Sequence, residues 1–168
     1  MSIDISLLFS TKLTFVKSAT DSRPLLSRYT TLITSSWPVD RAFDYMSDFA
    51  NAAQWDPGVL EARRHDTGPL GVGSQFELVV SFAGRTRTMS YRMEEYEVNR
   101  RVVFSSVTRS LRSVDTLSFE PRGEGCVMTY DAELSFSGAA GLANPLLALI
   151  FRRVGDRARD SLRHMLGR

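Results

Sequence analysis

A chain of 168 residues, 43% of them apolar, is the size of one domain and leaves little room for a second. Its 21 Lys+Arg against 19 Asp+Glu make a balance too even for nucleic acid or an anionic membrane to be the default partner. The solitary Cys126 excludes an internal disulfide, and with only two histidines no metal site is expected.

The chain begins irregularly. Both lysines, Lys12 and Lys17, precede Ala19, whereas every basic residue from Arg23 onward is arginine or histidine. That composition boundary and the polar, turn-like stretch 19–24 mark residues 1–28 as an N-terminal extension, disordered or loosely packed, ahead of a single domain over 29–168. Ile3, Ile5 and Leu7 alternate as in a short edge strand. No charged start precedes an apolar run, and nothing approaches the ~20 apolar residues of a bilayer-spanning helix. A cytoplasmic protein is therefore expected, with no cofactor and with a protein partner or homodimer left open.

From Tyr29 the elements are legible. Thr30–Ser35 is β-branched and strand-like, and Pro38 stands where a helix opens. Val39, Ala42, Phe43, Met46 and Phe49 then recur at helical spacing, and Asn51–Trp55 suits a second short helix ended by the turn residues Asp56, Pro57 and Gly58. Strands follow at Val59–Asp66, Gln75–Phe82, Arg85–Val98, Arg101–Val107, Ser113–Glu120 and Cys126–Phe136, joined by turns at Gly68–Gly73, Ala83–Gly84 and Gly123–Gly125. The Glu94, Glu95 pair shifts the alternation as a bulge would. The chain closes on a helix of about 22 residues, with Asn144 as N-cap and Pro145 in its first turn. Its apolar face carries Leu147, Ile150, Phe151, Val154, Ala158, Leu162 and Met165; Arg152, Asp156, Arg159, Asp160 and Arg163 occupy the other side. Gly155 within it is a natural bend point.

This order, with the local runs Trp37–Val39, Phe43–Phe49 with Asn51 and Trp55, Gly68–Phe76, and Asp115–Pro121 with Gly123, Gly125, Met128 and Tyr130, resembles the START-like SRPBCC proteins, also called polyketide cyclase/dehydrase-like, whose fold the birch pollen allergen shares. The resemblance covers Tyr29 to Gly167 and implies an α+β helix-grip fold: a curved antiparallel sheet of about seven strands around a long C-terminal helix, with two short helices after the first strand. It also implies a space between sheet and helix. A dry void of ~300 Å³ would cost roughly 7 kcal/mol, so either side chains collapse into that space or an apolar guest fills it.

The candidate lining follows from strand phase. Phe76, Leu78 and Val80 share one face of their strand; Met89, Tyr91 and Met93 share another; Leu117 and Phe119, then Met128 and Tyr130, complete the set. Arg87 has the phase of Met89, and Asp115 that of Leu117, so the two can pair, meet a ligand, or lie at strand ends. Catalytic signals are sparse: no phosphate loop, nucleophile elbow or HExxH motif occurs. Tyr91, Asp115, His65 and Glu61 are the first suspects for a cyclase or dehydratase, which needs little beyond a shaped cavity and one acid or base. The expected function is binding of a small hydrophobic molecule, as carrier or sensor. The alternatives are such an enzyme, and a protein- or ribosome-interaction module acting through Arg152, Arg153, Arg159 and Arg163.

Overall fold

A computed structural model of the chain describes residues 25–82, 84–109, 111–136 and 145–167. The elements are β1 (Leu25–Ser35), α1 (Val39–Ser47), a 3-10 turn (Phe49–Asn51), α2 (Ala52–Trp55), β2 (Val59–Arg64), β3 (Gln75–Phe82), β4 (Arg85–Glu97), β5 (Arg101–Val107), β6 (Leu111–Arg122), β7 (Gly125–Phe136) and α3 (Pro145–Leu166). The seven strands form one antiparallel sheet in the order β1-β7-β6-β5-β4-β3-β2, so only the β1–β7 pairing joins strands distant in sequence. This curled sheet with its terminal helix is the α+β helix-grip arrangement.

Several boundaries differ from the sequence reading for identifiable reasons. β1 starts at Leu25 because Leu25 to Arg28 pair with Phe136 to Glu133 of β7, which puts the last four residues of segment 1–28 into the sheet. Pro38 occupies the N-cap position with extended backbone, and α1 starts after it. Phe49 leaves α1 for the 3-10 turn, where the Asp48 carboxylate accepts the Ala50 N–H at 3.1 Å. β2 stops at Arg64, since Asp66 is drawn into the following loop by Arg64 and by the Gln75 N–H. The register shift between Met93 and Glu95 is the bulge expected at the glutamate pair. The Ile3, Ile5, Leu7 alternation, Ala83 and Asn144 lie outside the described residues.

One end of the concave face is packed solid. Phe43 of α1 meets Phe119 edge-on at 5.5 Å between ring centroids, and Phe49 stacks on Phe104 at 4.1 Å. Ile33, Met46, Met93, Leu117, Met128, Leu162 and Leu166 are fully buried around them. The C-terminal end of α3 is tied to the end of β1: the Leu166 carbonyl accepts from the Ser35 hydroxyl at 3.0 Å and the Ser36 N–H at 2.9 Å. At Gly125 a side chain has no room, because a Cβ there would lie 2.1 Å from the Ser35 carbonyl oxygen. Along α3, Arg159 pairs with Asp156 and Asp160 at 2.9 Å each, and Arg152 with Asp156 at 4.0 Å, so the basic side of the helix is partly neutralised by its own acids.

Candidate functional site

Successive cross-strand rows of the sheet run from the packed end toward the far end of α3. Ile33, Met128 and Phe119 form one row, Tyr130 and Leu117 the next, and then Tyr29, Ala132, Asp115 and Phe104. Beyond these lie Ser27, Leu134, Ser113 and Ser106, and finally Phe136 with Leu111. α1 and the 3-10 turn cover the first rows and not the last, because their rings reach no further than Phe104, Phe76 and Tyr91. A cavity of about 520 Å³ occupies the uncovered part, between the sheet and the Phe151, Val154 and Ala158 face of α3. The Asp56–Val59 turn closes one side, and the β3–β4 hairpin end, with Phe82, Arg85 and Arg87, forms the other.

The expected lining divides accordingly. Val80, Arg87, Met89, Tyr91 and Tyr130 stand on the cavity wall. Phe76, Leu78, Met93, Leu117, Phe119 and Met128 are buried in the core cluster instead and are not on that wall. Strand phase assigns both groups to the concave face; the aromatic plug from α1 and the 3-10 turn decides which rows remain open. Asp115 is on the wall, whereas Glu61 and His65 are exposed on β2 and just after it, His65 lying 3.6 Å from Glu77. Arg87 is exposed at the rim and Asp115 is buried within, hydrogen-bonded to tyrosine and serine.

The polar heart of the cavity is Asp115. It accepts the Tyr130 hydroxyl at 2.7 Å and the Ser113 hydroxyl at 3.3 Å, and Tyr91 stands on the same wall. Burial pushes its carboxyl up to about 6, against these donors, and the nearby Asp56 adds to the rise. Asp56, which reads in the sequence only as a turn former, does accept the Gly58 N–H at 2.7 Å in that turn, yet its carboxyl also lies on the cavity wall. Burial raises it to about 6 as well. The Tyr91 and Tyr130 phenols are driven well above their ordinary range by burial first and by the Asp115 charge second. Two carboxyls and two phenols thus share an otherwise apolar hollow, a set able to hold or exchange a proton near neutral pH.

Sequence reasoning also passed over Tyr29, Leu111, Ser113, Leu134 and Phe136 as wall residues. The phase of Leu134 and Phe136 with Tyr130 was the available signal. Tyr29 hydrogen-bonds Asp156 at 3.0 Å while its ring faces the cavity beside Gly155, and burial and that carboxylate together raise its hydroxyl to about 12. Among the described residues no three His, Cys, Asp or Glu side chains converge as metal ligands, and no helix is long and apolar enough to cross a membrane.

The sequence profile of a family described as polyketide cyclase / dehydrase and lipid transport matches residues 28–166. The chain belongs to this family. The match begins where β1 has already paired with β7 and ends at the last residue of α3, so the family unit is the sheet and helix that enclose the cavity. Solved structures with the same fold include the Zhui aromatase/cyclase from Streptomyces sp. R1128, at 14% identity and TM-score 0.63, covering 84% of this chain and 93% of that one. A START superfamily protein from Mycobacterium smegmatis aligns at 13% identity and TM-score 0.64, covering 83% of this chain and 96% of that one. Ara h 8.0201 aligns at 10% identity and TM-score 0.61, covering 84% and 97%. At such identities the likeness is one of fold. Comparison with curated proteins finds no match.

Proposed function

We propose that the protein binds a small hydrophobic molecule in the cavity between α3 and the sheet, as a carrier or sensor. The cavity itself carries this reading. The hollow of about 520 Å³ is walled by Met89, Leu134, Phe136, Phe151 and Val154, and holding such apolar side chains against water costs about 25 cal/mol per Å² of surface. An apolar guest removes that penalty, and Met89 supplies adaptable surface for it. The family's description, which couples cyclase and dehydrase activity with lipid transport, supports the same reading.

Native mass spectrometry of the purified protein and titration with a fluorescent apolar dye test it. The expected result is a co-purified small molecule, or dye binding that is lost in Val154→Trp, where an indole would fill the hollow. Protein that is empty and binds no dye overturns the proposal.

A second reading is favoured by one observation, the Asp115 carboxyl held near neutrality beside the Tyr91 and Tyr130 hydroxyls. That is the equipment of general acid–base chemistry on a carbonyl substrate, as in a cyclase or dehydratase. It predicts turnover of a polyketide-like substrate that falls in Asp115→Asn and Tyr91→Phe; unchanged turnover in both removes these residues from the chemistry.

A further inference from the structure

The two ends of the cavity differ in charge. At the inner end the wall carries Asp56 and Asp115 with Tyr91 and Tyr130, and no basic side chain. Tyr130 spends its proton on Asp115 and keeps lone pairs to offer, and the Tyr91 phenol stands on the same stretch of wall. Asp56 uses one oxygen on the Gly58 N–H. That end is therefore a set of acceptors wanting a donor, and a hydrocarbon placed against it would leave them desolvated and unpaired.

The outer end is the reverse. Arg85 and Arg87 both line the cavity from one face of β4 and are exposed; neither has a carboxylate partner among the described residues. Two residues apart on a strand, they stand roughly 6.6 Å from one another, which lets both guanidiniums address one anion. Tyr91 stands four residue steps along the strand from Arg87, a span of roughly 13 Å. Between them the wall is apolar, with Met89 on the sheet side, Val80 level with Arg87 on the neighbouring strand, and Phe151 and Val154 on the helix side.

We propose that the ligand is an amphipathic acid, its anionic group held at the mouth by Arg85 and Arg87 and its far end carrying a hydroxyl that donates to the Asp56 and tyrosine oxygens. This rests on the hydrophobic-ligand reading above and adds to it the polarity and length of the guest. A neutral hydroxyl suits the inner end because the acceptors there lie in apolar surroundings, where a full positive charge is costly to bring.

Calorimetric titration with ω-hydroxydodecanoic acid, dodecanoic acid, dodecanol and ω-aminododecanoic acid tests the inference. The hydroxy acid is expected to bind about tenfold tighter than dodecanoic acid, as one hydrogen bond to a charged or strongly polarised group is worth about that factor. In the double variant Arg85→Gln/Arg87→Gln, affinity for both acids is expected to fall about tenfold while that for dodecanol holds; both sites are exposed, so the fold tolerates the change. Equal affinity of the two acids, an arginine variant that binds them undiminished, or tighter binding of the amino acid each overturns the inference while leaving the cavity reading intact. Binding of none of the four overturns both.

Discussion

The Tyr29 ring lies against Gly155 so closely that a Cβ on that glycine would sit 2.7 Å from three ring atoms. Gly155 is therefore the point where α3 comes down onto β1, and the contact holds the helix on one side of the sheet. The Tyr29 hydroxyl completes it by donating to Asp156 at 3.0 Å, one residue further along the helix.

Gly155→Ala is accordingly expected to destabilise the protein. Alanine gains about 1 kcal/mol of helix propensity over glycine, but displacing a buried ring costs about 1–3 kcal/mol, and any shift of this ring also pulls its hydroxyl from Asp156. Urea denaturation should show a net loss for Gly155→Ala; a net gain would mean that the helix moves freely relative to β1.

Core and cavity wall should respond differently to truncation. Phe104→Ala removes the partner of the Phe49 stack from a filled region and is expected to cost about 3–5 kcal/mol. Met89 borders the existing hollow, so Met89→Ala leaves less new void per atom removed and should fall near the lower end of the about 2–5 kcal/mol range. Equal losses at the two sites, measured by the same denaturation, would mean that the wall is packed as tightly as the core.

Asp115 makes a pH prediction with a definite sign. Its folded carboxyl titrates near 6 against 3.8 for the free group, so between those values the folded state holds more proton than the unfolded one. Its contribution is therefore fully present below about pH 4 and is lost as pH rises through about 6, by roughly 3 kcal/mol at most. Asp115→Asn removes the titration while keeping an acceptor for Tyr130. The difference in stability between variant and wild type should shift in the variant's favour as pH is raised across this window; a difference independent of pH would show that Asp115 titrates normally.

The β2–β3 loop depends on one side chain. Arg64 binds Asp66, the Gly68 carbonyl at 2.6 Å, the Pro69 carbonyl at 3.1 Å and the Ser74 hydroxyl at 3.2 Å, while Asp66 accepts the Gln75 N–H at 2.7 Å. Arg64 holds the Asp66 carboxyl down to about 2, so this pairing is present above pH 3.8 and lost as pH falls through about 2. Arg64→Met should lower hydrogen-exchange protection of the Gln75 amide about tenfold at neutral pH. Unaltered protection would mean that the loop holds without the arginine.

Strand phase, helical spacing and turn residues sufficed to place the described elements, including the bulge at Glu94–Glu95, because each depends on neighbours close in sequence; the exception is the first five residues of β1, which only their pairing with β7 puts in the sheet. They also put Asp115 and Tyr91 on the concave face. Which concave residues meet open space was a different matter. Phe76 and Val80 have the same phase on β3, yet Phe49, from the 3-10 turn after α1, sits against the Phe76 ring at 6.2 Å, and Val80 borders the cavity. Asp56 joined Asp115 only through the placement of the α2–β2 turn beside α3. Local periodicity tells a side chain which way to point; how far the plug of rings extends along the sheet, and so where the hollow begins, is set by contacts between residues far apart in the chain, which have no period to read.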